Sequence, residues 1–69
     1  MSLDFITKEI MEQYEAIRKS GVTNMFDYYN VVKIADKLEF YSLASLIREE
    51  YGQLLMNFSS LMKKYDISQ

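Results

Sequence analysis

Sixty-nine residues, with Lys+Arg 8 against Asp+Glu 10, carry a formal net charge of -2 and contain neither Cys nor His. A disulfide staple and a Cys/His zinc site are therefore excluded, and the chain as a whole lacks the basic stripe of a nucleic-acid binder. Apolar residues at 49% and charged residues at 26% fit a single globular domain over residues 1–69, not a disordered segment. A chain this short buries only about 60% of the surface its unfolded form exposes. Its core is thin, so efficient helix packing or oligomerisation is expected to support it. No apolar run is long enough to span a membrane, and no basic-then-apolar leader stands at the start, so a cytoplasmic protein with no membrane contact is the expectation.

From Leu3 to Ser20 the apolar residues Leu3, Ile6, Ile10, Tyr14 and Ile17 recur at steps of three and four, the spacing of an amphipathic helix. Glu9, Glu12 and Glu15 fall between them as a solvated face. Ser2 or Asp4 can accept from the free N–H groups of the first turn, and Arg18 and Lys19 suit the negative end of the helix dipole. Gly21 can close the helix in the left-handed conformation, which would pack Val22 on Ile17.

Val22 to Asn30 has turn formers at both ends and aromatic residues between them. Thr23 or Asn24 can cap a short helical turn over residues 24–28, and Asn30 can cap a second helix over residues 30–38; one helix running on from Asn24 is the rival reading. Val31, Ile34, Ala35 and Leu38 form an i, i+3, i+4, i+7 face. Ser42 is placed to cap a third helix after a tight turn.

That third helix is expected over residues 42–65. Leu43, Ile47, Tyr51, Leu54, Phe58, Leu61 and Tyr65 alternate in steps of four and three, and no proline interrupts them. A straight helix of this length measures about 36 Å, longer than a compact globule of 69 residues, at about 28 Å across. The fold class is thus all-α, a three-helix arrangement with a long C-terminal helix that overhangs its domain. Leu54, Leu55, Met56, Phe58, Leu61 and Met62 cover more than half of its circumference, more than one neighbouring helix can hide. Leu54, Leu55, Phe58, Leu61, Met62 and Tyr65 are accordingly the candidate self-association residues of a homodimer. Gly52 is expected at a close helix crossing, the alternative being a bend, and Asp66 to Gln69 are expected to fray.

The second and third helices invite comparison with a DNA-binding helix-turn-helix. The would-be recognition helix, however, offers Ser42, Ser45, Arg48, Glu49 and Glu50, one cation against two carboxylates, where phosphate attraction should dominate. A structural corner is the favoured reading. Tyr14, Tyr51 and Tyr65 read as core-edge residues, apolar in body and wet at the hydroxyl. Tyr28 and Tyr29 are adjacent on a short turn and cannot both face one core. No His, Cys, phosphate loop or nucleophile elbow is present, so neither an enzyme, nor a metal, nor a cofactor is expected.

The stretch from Ile17 to Leu43, with IRKSGVTNMFD followed by VVKIADKLEFYSL, resembles a small domain of unknown function encoded by phages and prophages of Gram-positive hosts. The resemblance rests on Arg18, Ser20-Gly21, Asn24-Met25-Phe26-Asp27, Ile34-Ala35, Phe40-Tyr41 and Leu43. It departs at Glu39, where such domains usually carry Gly, so this turn is either less sharp or strained. The resemblance implies a mobile-element origin, and proteins of that kind often work by binding a larger host or phage protein. Asn24, Met25, Phe26, Asp27 and Tyr28 are the candidate partner contact. The structural alternative has Asn24 and Asp27 capping the backbone while Met25 and Phe26 plug the gap between the first two helices. The functional expectation is a non-catalytic protein-interaction module, with a small DNA-binding regulator as the alternative.

Overall fold

The computed structural model describes residues 3–67 and places four helices in them: α1 (Lys8–Ser20), α2 (Tyr28–Lys37), α3 (Tyr41–Met56) and α4 (Phe58–Lys64). The all-α expectation holds. The count of three and the long terminal rod do not.

α1 begins five residues later than its apolar period implies, because Thr7 captures the first turn. Its hydroxyl oxygen accepts from the Ile10 N–H at 3.2 Å. Ile6, just before this cap, and Met11, at the fourth helical position, are both fully buried, the placement of a hydrophobic staple. Leu3 to Ile6 form a turn closed by the Ile6 N–H on the Leu3 carbonyl at 2.9 Å, so Asp4 does not cap the helix. Ser2 lies outside the described residues. Glu15 is buried, contrary to its expected place on a solvated face: Arg18 closes over it with Nε 2.7 Å from Oε1, and the Arg18 guanidinium lies 5.6 Å from the centre of the Phe58 ring.

α2 starts at Tyr28, between the two starts the sequence allowed, because the cap is Asp27. Asp27 Oδ1 accepts from the Asn30 N–H at 3.4 Å, and Oδ2 from the Asn30 side-chain amide at 2.7 Å. The corner to α3 is a Schellman closure on a non-glycine residue. Glu39 takes φ 63°, its N–H donates to Asp36 at 3.1 Å, and the Phe40 N–H donates to Ala35 at 2.8 Å. The turn is as sharp as a glycine would make it. Ser42 does not cap α3; Phe40 stands there without a side-chain bond, and α1 supplies the cap instead. Gln13 Oε1 accepts from the Leu43 N–H at 3.2 Å, and the Ser42 hydroxyl donates to Glu9 Oε1 at 3.1 Å.

The expected rod over 42–65 does not fit in a molecule whose longest extent is 28 Å. It is interrupted twice. Glu50 leaves helical geometry at φ -145°, ψ 37°, and Asn57 does so at φ -113°, ψ 17°. At the second break the Asn57 side-chain amide donates to the Gln53 carbonyl at 2.8 Å, beside its own N–H at 3.2 Å, a local side-chain bond that competes with regular helix. Gly52 lies exposed with open space around it, so it marks no helix crossing and sits beside the Glu50 bend instead.

The bends turn α4 inward. Leu54, Leu61 and Met62 are buried in the chain's own core, and Leu55, Phe58 and Tyr65 are half-buried against it. Of the six large apolar residues counted as surplus between Leu54 and Met62, Met56 stays exposed. The overhang from which self-association was expected is therefore absent. Asp66 and Ile67, expected to fray, close α4 with a second Schellman pair: Asp66 N–H to Lys63 at 3.1 Å and Ile67 N–H to Met62 at 3.0 Å. Ser68 and Gln69 lie outside the described residues.

Candidate functional site

The connection from α1 to α2 is short, and the side chains of Ser20, Asn24 and Asp27 are spent on backbone within or beside it. Gly21 takes φ 68°. Ser20 then relays the closure: its hydroxyl donates to the Ile17 carbonyl at 2.5 Å and accepts from the Val22 N–H at 3.4 Å. The expected packing of Val22 on Ile17 gives way to this relay, and Val22 is exposed. Asn24 Oδ1 accepts from the Phe26 N–H at 2.9 Å, while the Asn24 carbonyl accepts from the Asp27 N–H, also at 2.9 Å. Asp27 caps α2. Asn24 and Asp27 thus hold the turn together, as the structural alternative had it.

Met25 and Phe26 part company. Met25 is buried in the core, and its carbonyl accepts from the Tyr51 hydroxyl at 2.5 Å. Phe26 is 77% exposed and plugs nothing, which corrects the gap-filling role. Tyr29, absent from the candidate contact residues, is 74% exposed, and Tyr28 between them is exposed to a lesser degree. The signal for Tyr29 was its adjacency to Tyr28: neighbours on a helix point about 100° apart. Three aromatic rings within four residues therefore stand outside the core, Phe26 on the connection and Tyr28 and Tyr29 in the first turn of α2, where the backbone is fixed at several points.

Two tyrosine hydroxyls anchor backbone carbonyls, one in this connection and one before α1. Tyr51 grips the turn at Met25; Tyr65 donates to the Ile6 carbonyl at 2.6 Å and pins the segment before α1. Lys64 adds an exposed contact to Asp4 at 3.4 Å, which together with the Tyr65 hydroxyl raises the Lys64 pKa. The Tyr14 ring packs at a tilt against Tyr51, with centroids 6.3 Å apart, and against Phe58 at 5.4 Å. Burial raises the Tyr14 hydroxyl above the ordinary tyrosine range and pushes that of Tyr51 well above it.

The face of α3 compared with a recognition helix has its cation engaged: Arg48 pairs with Asp36 of α2. Glu49 and Glu50 remain exposed beside it. Among the described residues no group of three or more His, Cys, Asp or Glu could hold a metal ion, and no helix is long and apolar enough to cross a membrane.

No curated protein and no solved structure matches the chain. The sequence model of one family, a domain of unknown function (DUF5049), matches residues 6–58. That span includes the whole of Ile17 to Leu43. It also extends through α3, past the point where the resemblance read from the sequence stops. From the buried staple at Ile6 to the ring of Phe58 that shields Arg18, this chain belongs to the DUF5049 family.

Proposed function

We propose that the chain is a non-catalytic protein-interaction module, of the phage or prophage type its sequence resembles, which binds a host or phage protein through Phe26 and Tyr29, with Tyr28 at their side. One observation carries this reading: Phe26 and Tyr29 are among the most exposed large apolar residues of the fold, on either side of the start of α2, where Ser20, Asn24, Asp27 and the Tyr51 hydroxyl fix the backbone. Large aromatic side chains on a rigid backbone lose little entropy on binding and supply the anchors that dominate interface energy. Asn24, Met25 and Asp27 serve this surface from beneath, as its scaffold. The homodimer expected from an overhanging helix has lost its basis, since half of the residues that were to form it lie in the core, so the reading assigns the contact to a different protein. The regulator reading gains nothing from an α3 whose arginine is already paired beside two exposed carboxylates, Glu49 and Glu50.

The test is affinity recovery of tagged protein from host lysate, with mass spectrometry, comparing wild type with Phe26→Ala/Tyr29→Ala. Removing two aromatic anchors should cost at least about 2 kcal/mol of binding, a loss of about thirtyfold or more in affinity. Because neither ring is in the core, the melting temperature should stay unchanged. Equal recovery of the same partner by both proteins would overturn the assignment. Titration with nonspecific duplex at low salt should be silent; steep, salt-sensitive binding would favour the regulator instead.

A further inference from the structure

A cleft of about 650 Å³ lies away from the aromatic turn, between the segment before α1 and the first part of α3. Ile10 and Leu46, both almost fully buried, form its floor, and the exposed rings of Phe5 and Tyr41 stand at its sides. Its volume is within the range of sites that enclose a ligand group or the side chains of a docked segment. The charged side chains that line it have one sign. Glu49 and Glu50 line the end at the α3 bend, and no Lys or Arg lines the cleft. At the other end, Ser42 is bonded to the Glu9 carboxylate of α1. The nearest cation on α3, Arg48, is occupied by Asp36. Glu49 receives only the Ser45 hydroxyl, at 3.2 Å, and Glu50 has no hydrogen bond or ion pair among the described residues.

We infer that this cleft is a second docking surface, and that its occupant is a basic amphipathic helix of another protein, with apolar anchors over Ile10 and Leu46 and a cation at each end. The spacing follows from α3 itself. Ser42, which marks the Glu9 end, and Glu49 are seven residues apart, or about 10 Å along the helix axis. Lys or Arg at positions i and i+7 of a docked helix spans the same distance, and i+3 and i+4 lie between them on the same face. Unneutralised carboxylates beside an apolar floor attract such a helix and repel an acidic one. The same charge argues against an anionic membrane surface or a nucleic acid as occupant.

A display library of random peptides about fifteen residues long, roughly four helical turns, selected on the full chain, tests the inference. The enriched peptides should carry Lys or Arg at i and i+7 flanking Leu, Ile or Phe at i+3 or i+4, and amide shifts on binding should centre on Ser42, Ser45, Leu46 and Glu49. Ser45→Trp, which fills the cleft from an exposed position on α3, should abolish capture while its melting temperature confirms a folded protein. Glu49→Gln/Glu50→Gln should weaken binding of the selected peptide about tenfold or more and flatten its salt dependence. Phe26→Ala/Tyr29→Ala should leave the selection unchanged, so failure here and failure of the aromatic surface are read separately. No enrichment, a consensus without basic residues, or capture that survives Ser45→Trp would each overturn the assignment.

Discussion

At Glu39 the backbone is left-handed on a residue with a Cβ, a conformation that costs an L-amino acid about 1–2 kcal/mol. The Schellman bonds to Asp36 and Ala35 hold it there. Glu39→Gly removes the steric term but adds freedom to the unfolded chain, so the net gain should be about 0.5–1 kcal/mol in urea denaturation. A neutral or destabilising result would mean that the Glu39 side chain makes a compensating contact. The departure from Gly at this position was legible in the sequence as a choice between a blunter turn and a strained one, and the fold takes the second. Glu15 was not legible. It lies next to Tyr14 on the edge of the apolar stripe, and only the arrival of α4, with Phe58 under the Arg18 guanidinium, seals it from water. One of its oxygens, Oε2, is buried without a hydrogen-bond partner. Sequence spacing records which residues share a helix face, but not which neighbour later covers that face's border.

The elements divide along the same line. α1 and α2 were readable as amphipathic stripes from their own apolar spacing, and Gly21 marked the end of the first; the head of the second was read at Asn30 or Asn24, whereas Asp27 caps it. Asp27→Ala should lower stability by about 1 kcal/mol, the usual effect of losing a helix cap, and thermal melting would register it as a fall of several degrees. Asn30→Ala should give a smaller loss, since the backbone N–H on Asp27 Oδ1 survives it. An unchanged melting temperature for Asp27→Ala would remove the structural role given to this residue. α3 and α4 were misread as one rod because the apolar period runs unbroken through Glu50 and Asn57, and neither residue is a breaker by type. The Asn57 break carries a local side-chain bond to the Gln53 carbonyl, and the bent path goes with two contacts distant in sequence, Tyr51 to Met25 and Tyr65 to Ile6. The cap of α3 was misplaced for a related reason, because its donor, Gln13, belongs to another helix.

Across the whole molecule, stability should respond to alkali through the buried tyrosines. An unfolded tyrosine ionises near the ordinary value of 10.0, whereas burial holds the folded Tyr14 and Tyr51 above it. Above about pH 10 the unfolded chain releases protons that the folded one keeps, so stability falls with rising pH there and is insensitive to these groups below it. Tyr51→Phe should lose about 1–3 kcal/mol at neutral pH, because the Met25 carbonyl is left buried without its donor. The same variant should show a shallower decline between neutral and strongly alkaline solution. Urea titrations at the two conditions measure both effects, and an alkaline decline as steep as in wild type would exclude Tyr51 as its source. The aromatic turn was partly legible at this scale: its motif was singled out, but the division between buried Met25 and outward Phe26 depends on a hydroxyl arriving from α3, twenty-six residues away.

The clasp at Met25 is made to the peptide carbonyl, an atom that every amino acid possesses. As far as that bond is concerned, the turn's position is indifferent to the letters written on it, and the same is true of the second clasp at Ile6. A chain that keeps Tyr51 and Tyr65 can therefore exchange Phe26 and Tyr29 for other side chains while the frame that carries them stays put.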